Sequence, residues 1–275
     1  MNRRLLLGAA LVVLLAASAG CTGLFGGGVS DERLDQEADY DWDEVPSWET
    51  TNGTDGAPAQ PRPVNSSDTT DVYVNVTGES YHAVYHLDNY SEEDFEMWVR
   101  GISNEDPLDI WALRFRYPNG TVVNGSELNV YETNYRTHVE LPKSANGTTN
   151  GTIAFSASAE PKSFYLPNYM EGSYEVVLPK GMRTDFFLFG RISPGASQSP
   201  TIEDGRVHIQ WDELDSTISV KYYLQRDFYL FIGAVGVLGL ATIVGLAYYR
   251  YRIQELTSLR EDLGTTIDVD DGDDR

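Results

Sequence analysis

Four histidines, one cysteine, eight asparagines in acceptor sequences and several close-set acids are the residues of this chain whose types could carry chemistry. His82 and His86 are four apart. On a helix that spacing lets two imidazoles share one metal ion. On a strand it separates them by ~13 Å, against the ~2 Å of each metal–nitrogen bond. Their neighbours alternate apolar and polar, so the strand reading applies and both histidines stand on an exposed polar face. His138 and His208 fall at similar outward positions. Gly195-Ala196-Ser197-Gln198-Ser199 begins as a nucleophile elbow does, but it lacks the closing glycine and no helix follows. No His-Glu-x-x-His sequence, P-loop or dinucleotide fingerprint occurs. Asp39, Asp41 and Asp43 can attract calcium, but in so acidic a chain they read as solvated surface. Asp268 to Asp274 fails the calcium-loop spacing. No catalytic residue, metal ligand or cofactor site is nominated, and a non-enzymatic protein is expected.

Modification chemistry is better marked. Asn52, Asn65, Asn75, Asn89, Asn119, Asn124, Asn146 and Asn150 each have Ser or Thr two places on and no intervening Pro, the N-glycosylation acceptor pattern. None follows Asn150, so a glycan-covered N-terminal half and a bare half from Thr152 to Leu224 are expected. Cys21 is the single cysteine, which excludes an intrachain disulfide and a thiolate zinc cluster. It ends the small-residue run Ser18-Ala19-Gly20, behind Arg3-Arg4 and the apolar stretch Leu5 to Ala17. Residues 1–21 therefore read as an export signal with a lipoprotein-type processing box, although Ser18 stands where such boxes carry Leu. The expected outcome is a lipid on Cys21; the other is an uncleaved signal anchor. Either way the N-terminus is held at a membrane.

The element that must position everything else is Phe228 to Tyr249, 22 residues without a charged side chain. As a helix it is ~33 Å long, enough for a hydrocarbon core of ~30 Å. A single span must be helical, because only a helix satisfies its own backbone in lipid. We assign the span to residues 227–249. Arg250, Arg252 and Arg260 follow it, so residues 250–275 are expected in the cytoplasm and the body outside. Tyr222, Tyr223, Phe228 and Tyr229 at one end, with Tyr248, Tyr249 and Tyr251 at the other, fit two interfacial belts. Ile253, Leu256, Leu259 and Leu263 mark a juxtamembrane helix, either interfacial or a dimer contact. Ala241 and Gly245 could assist a homodimer. Asp268 to Asp274 reads as a solvated tail.

Residues 22–69 read as a flexible acidic, Pro- and Gly-rich tether with a short helix near Ser30 to Glu37. Tyr40, Trp42, Val45 and Trp48 interrupt it and are expected to dock on the body or the membrane interface. Residues 70–226 read as all-β: Val72/Val74/Val76, Tyr81/Ala83/Tyr85/Leu87 and Trp111/Leu113/Phe115 each recur with a period of two. Asn119-Gly120 and Asn124-Gly125 supply turns. The expected fold is an extracytoplasmic antiparallel β-sandwich, immunoglobulin-like, as one unit or two split near Lys143 to Gly151, followed by the single C-terminal transmembrane helix. Phe186, Phe187, Leu188 and Phe189 are apolar on both faces. A strand buried on both sides explains them; the alternative is an exposed patch that binds a partner.

With 42 acids against 20 bases the net charge is -22, which argues against nucleic acid as a partner. Only four of the bases are Lys, a balance that resembles the proteomes of extreme halophiles. Together Arg3-Arg4, the Ser-Ala-Gly-Cys box, the acidic tether, the sequon-rich β body and the late span resemble uncharacterised haloarchaeal membrane-anchored lipoproteins, a domain of unknown function. That resemblance implies a location and no reaction. The expected role is a cell-surface glycoprotein acting as a structural or interaction module, contacting an envelope protein or glycan through its bare half. The alternative is a binding or sensor module for a small ligand or glycan. A concave pocket lined by aromatics would favour binding; a flat apolar patch at Phe186 to Phe189 would favour interaction.

Overall fold

A computed structural model of the chain describes residues 29–50, 61–64, 69–101 and 104–264. It divides into one unit ending at Tyr222 and a second beginning at Tyr223. In the first unit the strands are, in chain order, β1 (Ser47–Thr50), β2 (Pro61–Val64), β3 (Val72–Val76), β4 (Ser80–Tyr90), β5 (Asp94–Arg100), β6 (Glu105–Pro107), β7 (Ile110–Arg116), β8 (Val122–Asn124) and β9 (Val130–Glu132). They continue as β10 (Thr137–Glu140), β11 (Thr149–Ser158), β12 (Ser163–Leu166), β13 (Gly172–Val177), β14 (Met182–Arg183), β15 (Arg191–Ser193), β16 (Thr201–Glu203), β17 (Arg206–Leu214) and β18 (Ile218–Lys221).

The body is mainly β, as the alternation predicts. Its largest sheet has eight strands in the order β16-β17-β13-β3-β4-β11-β7-β8. A second has the order β6-β5-β10-β9, and a third β12-β18-β15. Val72, Val74, Tyr85, Phe155 and Val176 bury one face of the large sheet. They share a core with Phe95, Met97 and Val139 of the second sheet and with Phe164, Leu166, Ile218 and Val220 of the third. The two smaller sheets thus cover one face of the large one, and period-two burial dictates that arrangement. One pairing departs from the antiparallel expectation: β13 runs parallel to β3, with Val176 opposite Val74. All the strands from β4 to β12 intervene and form the crossover that a parallel pair requires.

The other face of the large sheet is also apolar at Tyr73, Val84, Ala112, Ala154 and Val177. Tyr40 and Val45 cover it, with Ala38, Trp42 and Trp111 packed alongside. Residues 29–48 of the expected tether are therefore docked and not a free coil. The short helix Asp31–Leu34 lies within it. Arg114 donates to the carbonyls of Leu34, Asp35 and Gln36 at 2.8–3.2 Å. Arg116 donates to the Trp42 carbonyl, and its guanidinium lies 4.8 Å from the Trp42 ring centre. The physical reason is the sheet itself: Ala and Val on its second face must be removed from water.

Trp111 is expected on the inner face but joins the outer one. Ala112 takes φ = 54°, and the β7–β11 register shifts between Ala154 and Ser156. This bulge turns Trp111 outward while Leu113 and Phe115 stay inside.

Phe186 to Phe189 do not form a strand buried on both sides. They make a tight turn, in which the N–H groups of Phe189 and Gly190 donate to the Phe186 carbonyl at 3.0 and 2.7 Å. Gly190 permits it: a Cβ there would lie 2.1 Å from the Thr184 carbonyl oxygen. The turn leaves Phe187 80 % exposed and Leu188 59 % exposed.

In the second unit the helix Gln225–Gly264 runs for 40 residues. Within its stretch Gln225–Leu259 an 18-residue window reaches a mean hydropathy of 2.4, so the helix is long and apolar enough to cross a membrane.

Candidate functional site

Where the second and third sheets meet over the core, their loops leave a cleft of about 580 Å³. Trp98 and Arg100 of β5, Glu105 of β6, Tyr165 of β12, Asn168 and Asp215 line it. Alternation builds the β5 wall. Phe95 and Met97 point into the core, so Glu96 and Trp98 point out. Trp98 is held by two neighbours. The Arg136 guanidinium sits 4.4 Å from its ring centre, and Tyr169 meets it edge-on at 5.0 Å while donating to the Trp98 carbonyl at 2.6 Å. Arg136 is itself braced by Glu96 and, at 3.1 Å, by Glu105. Asn168 is fixed by the Tyr174 hydroxyl, which donates to its Oδ1 at 2.9 Å, and by its own donation to the Leu214 carbonyl. Beyond Trp98 a second hollow of about 360 Å³ is lined by Tyr90, Glu93, Asp94, Glu96 and Arg136. The cleft therefore offers a braced aromatic wall, a second aromatic in Tyr165, and donors and acceptors carried on separate elements. That combination suits a neutral ligand with many hydroxyls, which stacks its C–H face on a ring and bonds its rim to planar polar groups.

Elsewhere the structure pairs polar residues that lie far apart in the sequence. His208 Nδ1 and Glu175 Oε1 are 2.6 Å apart, and Gln210 donates to the other carboxylate oxygen at 3.3 Å. Burial, with the charges of Glu175 and Asp41, raises the Glu44 carboxyl beside them. His82 Nδ1 lies 2.8 Å from Ser156 Oγ, a contact resembling the Ser–His pair of hydrolases. Ser156 is wholly buried, however, and the Tyr40 hydroxyl caps it at 3.0 Å. No substrate can reach that oxygen, so the pair is a brace for the docked segment. His86 is only 4 % exposed and stacks on Trp48 with ring centres 4.7 Å apart. Burial pushes its pKa down to about 4. Neither ring nitrogen, nor the Trp48 indole N–H, nor the Thr152 hydroxyl has a partner among the described residues. His82 and His86 were expected on an exposed face; residues 40–48 cover them instead. His138 stacks on Tyr131 at 4.7 Å, and the Tyr131 hydroxyl donates to Asp94 at 2.5 Å.

The sequence-predicted modification sites scatter over the surface. Asn89, Asn119, Asn124 and Asn146 are exposed, and Asn150 is half-buried. Asn75 is half-buried too, and its amide is engaged at both ends, donating to Asp41 Oδ2 at 3.0 Å and accepting from Arg206 at 2.5 Å. Cys21, Asn52 and Asn65 lie outside the described residues. Among those residues no three or more His, Cys, Asp or Glu come together as metal ligands. The cleft had no signal in the sequence, because Trp98, Tyr165 and Asp215 belong to strands and loops that only the fold brings together.

A search of curated proteins finds no match. A family model described as a family of unknown function, DUF5803, matches residues 68–270, taking in the strands from β3 onward and the apolar helix together. The chain belongs to this DUF5803 family.

Proposed function

We propose that this protein is a non-catalytic, membrane-anchored surface module that binds a saccharide in the cleft beside Trp98. The observation that carries the reading is the ring of Trp98, in contact with Arg136 and Tyr169, on the wall of a 580 Å³ cleft also lined by Tyr165, Asn168, Glu105 and Asp215. A rigid aromatic platform costs little ordering on binding, and the surrounding amide and carboxylates match hydroxyl groups. The carboxylate of Glu105 is bonded to Arg136, which suits it to holding a ligand more than to proton transfer.

In this reading residues 227–249 of the helix Gln225–Gly264 cross the membrane, the β unit lies outside, and the arginines after Tyr249 lie inside. The family match runs through body and helix alike, which supports treating them as one device. Cys21 carries a lipid, and the exposed Asn89, Asn119, Asn124 and Asn146 carry glycans.

Saturation-transfer NMR on the full chain in nanodiscs, against a panel of neutral and acidic oligosaccharides, tests the cleft. At least one sugar class should give transfer that disappears in Tyr165→Ala. No transfer from any sugar, or transfer unchanged in that variant, overturns the proposal.

A further inference from the structure

We infer that the turn Phe186 to Phe189 is a lipid-docking element: Phe187 and Leu188 enter the outer leaflet while Arg191 and Lys221 beside them hold anionic headgroups. This rests on the reading of residues 227–249 as a membrane span.

The turn leads directly into β15, whose first residue Arg191 pairs with Lys221, the last residue of β18. Turn and chain exit therefore emerge from the same edge of the third sheet. Gln225 is four positions along the chain from Lys221, a reach of at most ~14 Å, and Arg191 three from Leu188, at most ~11 Å. Whatever angle the helix takes, the turn is kept within a short distance of the point where the chain enters the membrane.

Two further observations name the partner. Among the described residues of the first unit, Phe187 and Leu188 are the most exposed large apolar side chains, at 80 % and 59 %. Presenting them to water is unfavourable, whereas large apolar side chains at the surface of a bilayer are favoured. Second, Arg191 and Lys221 are directly opposed on neighbouring strands, both exposed, and neither has an ion-pair partner among the described residues. Like charges in that position repel, so an anion between them is a stabilising addition. The local charge also inverts the chain's own trend. Residues 180–191 hold three bases, Lys180, Arg183 and Arg191, against Asp185 alone, in a chain with 42 acids and 20 bases. An apolar tip ringed by cations fits a phosphate-bearing lipid surface. A protein partner with an acidic surface would match the cations as well, but not the covalent confinement of the turn to the membrane.

The test uses the full chain with Cys21→Ser, reconstituted into nanodiscs of phosphatidylglycerol and phosphatidylcholine in equal parts. A nitroxide is placed at Leu188→Cys or, as control, at Val122→Cys, another exposed apolar position on an edge strand of the large sheet. The expected result is severalfold greater collision with oxygen relative to a nickel chelate at 188 than at 122, reduced to the control value by Arg191→Glu with Lys221→Glu. A label at 188 as open to nickel as the one at 122 overturns the proposal. So does a label at 188 that remains lipid-buried after both charges are reversed, for the headgroup contact. Failure of the chain to co-purify with the nanodisc overturns the spanning reading first, and this one with it.

Discussion

Glu175 Oε1 and His208 Nδ1 lie 2.6 Å apart on the adjacent strands β13 and β17, on the face of the large sheet that residues 29–48 cover. Glu175 is only 7 % exposed, so its carboxylate depends on His208 and Gln210 for hydrogen bonds. His208→Ala is expected to destabilise the protein by about 2–4 kcal/mol, because it strands a buried acid. Glu175→Gln together with His208→Ala should recover part of that loss. Urea midpoints of the three proteins in detergent check this.

Stability should fall on mild acidification, and His86 gives the window. Its folded pKa of about 4 lies below the ordinary 6.5, so between those values the unfolded chain binds the extra proton. Stability is then complete above about pH 6.5, declines as the pH drops, and loses nothing further from this group below about 4. The loss amounts to as much as ~3 kcal/mol. Burial lowers His82 as well and adds in the same direction. Asp71 and Arg116 are the charged groups acting on His86, with opposite effects. His86→Phe keeps the stack on Trp48 and removes the titration, so the slope of stability against pH between 4 and 6.5 should flatten.

The docking of the N-terminal segment depends on a missing side chain. A Cβ on Gly125 would lie 2.7 Å from Leu34 Cβ and 2.8 Å from Leu113 Cβ. Gly125→Ala should cost about 1–3 kcal/mol through overpacking. It should also expose Asp31 to Glu37 to limited proteolysis, while the strands stay resistant.

Within the cleft, binding and stability can be separated. Asp215 is exposed, so Asp215→Ala should alter stability by less than about 0.5 kcal/mol. On the proposed saccharide reading the same substitution should weaken affinity about tenfold, equivalent to ~1.4 kcal/mol. Trp98→Ala should instead cost both, losing the Arg136 and Tyr169 contacts and about 3 kcal/mol of stability. Isothermal titration and thermal unfolding of the two variants distinguish the cases.

Local alternation predicts most of the core, since Val72, Tyr85, Phe155 and Val176 point inward as a period of two requires. It fails where a local irregularity or a distant partner decides the outcome. Ala112, with its positive φ, reverses the sense of Trp111, and nothing in the composition of β7 announces the bulge. Glu175 and His208 meet because β13 and β17 pair across an intervening excursion, and each alone reads as an outward polar residue. The acidic run looks like linker by composition, yet Tyr40 and Val45 are enough to close a sheet face. Phe186 to Phe189 read as buried because apolar residues on both faces usually are; the turn hydrogen bonds and Gly190 send Phe187 and Leu188 outward instead.

The two outermost strands of the large sheet, β8 and β16, are three residues long each. Each terminal strand itself offers only three residues of ladder to a neighbouring copy, Ser197 covers part of β17 beyond β16 by bonding to Gln210 and Asp212, and Glu203 places a carboxylate at one of those rims. A sheet this wide would otherwise be a seed for fibre growth whenever many copies are confined together. Short rims let it be crowded without polymerising.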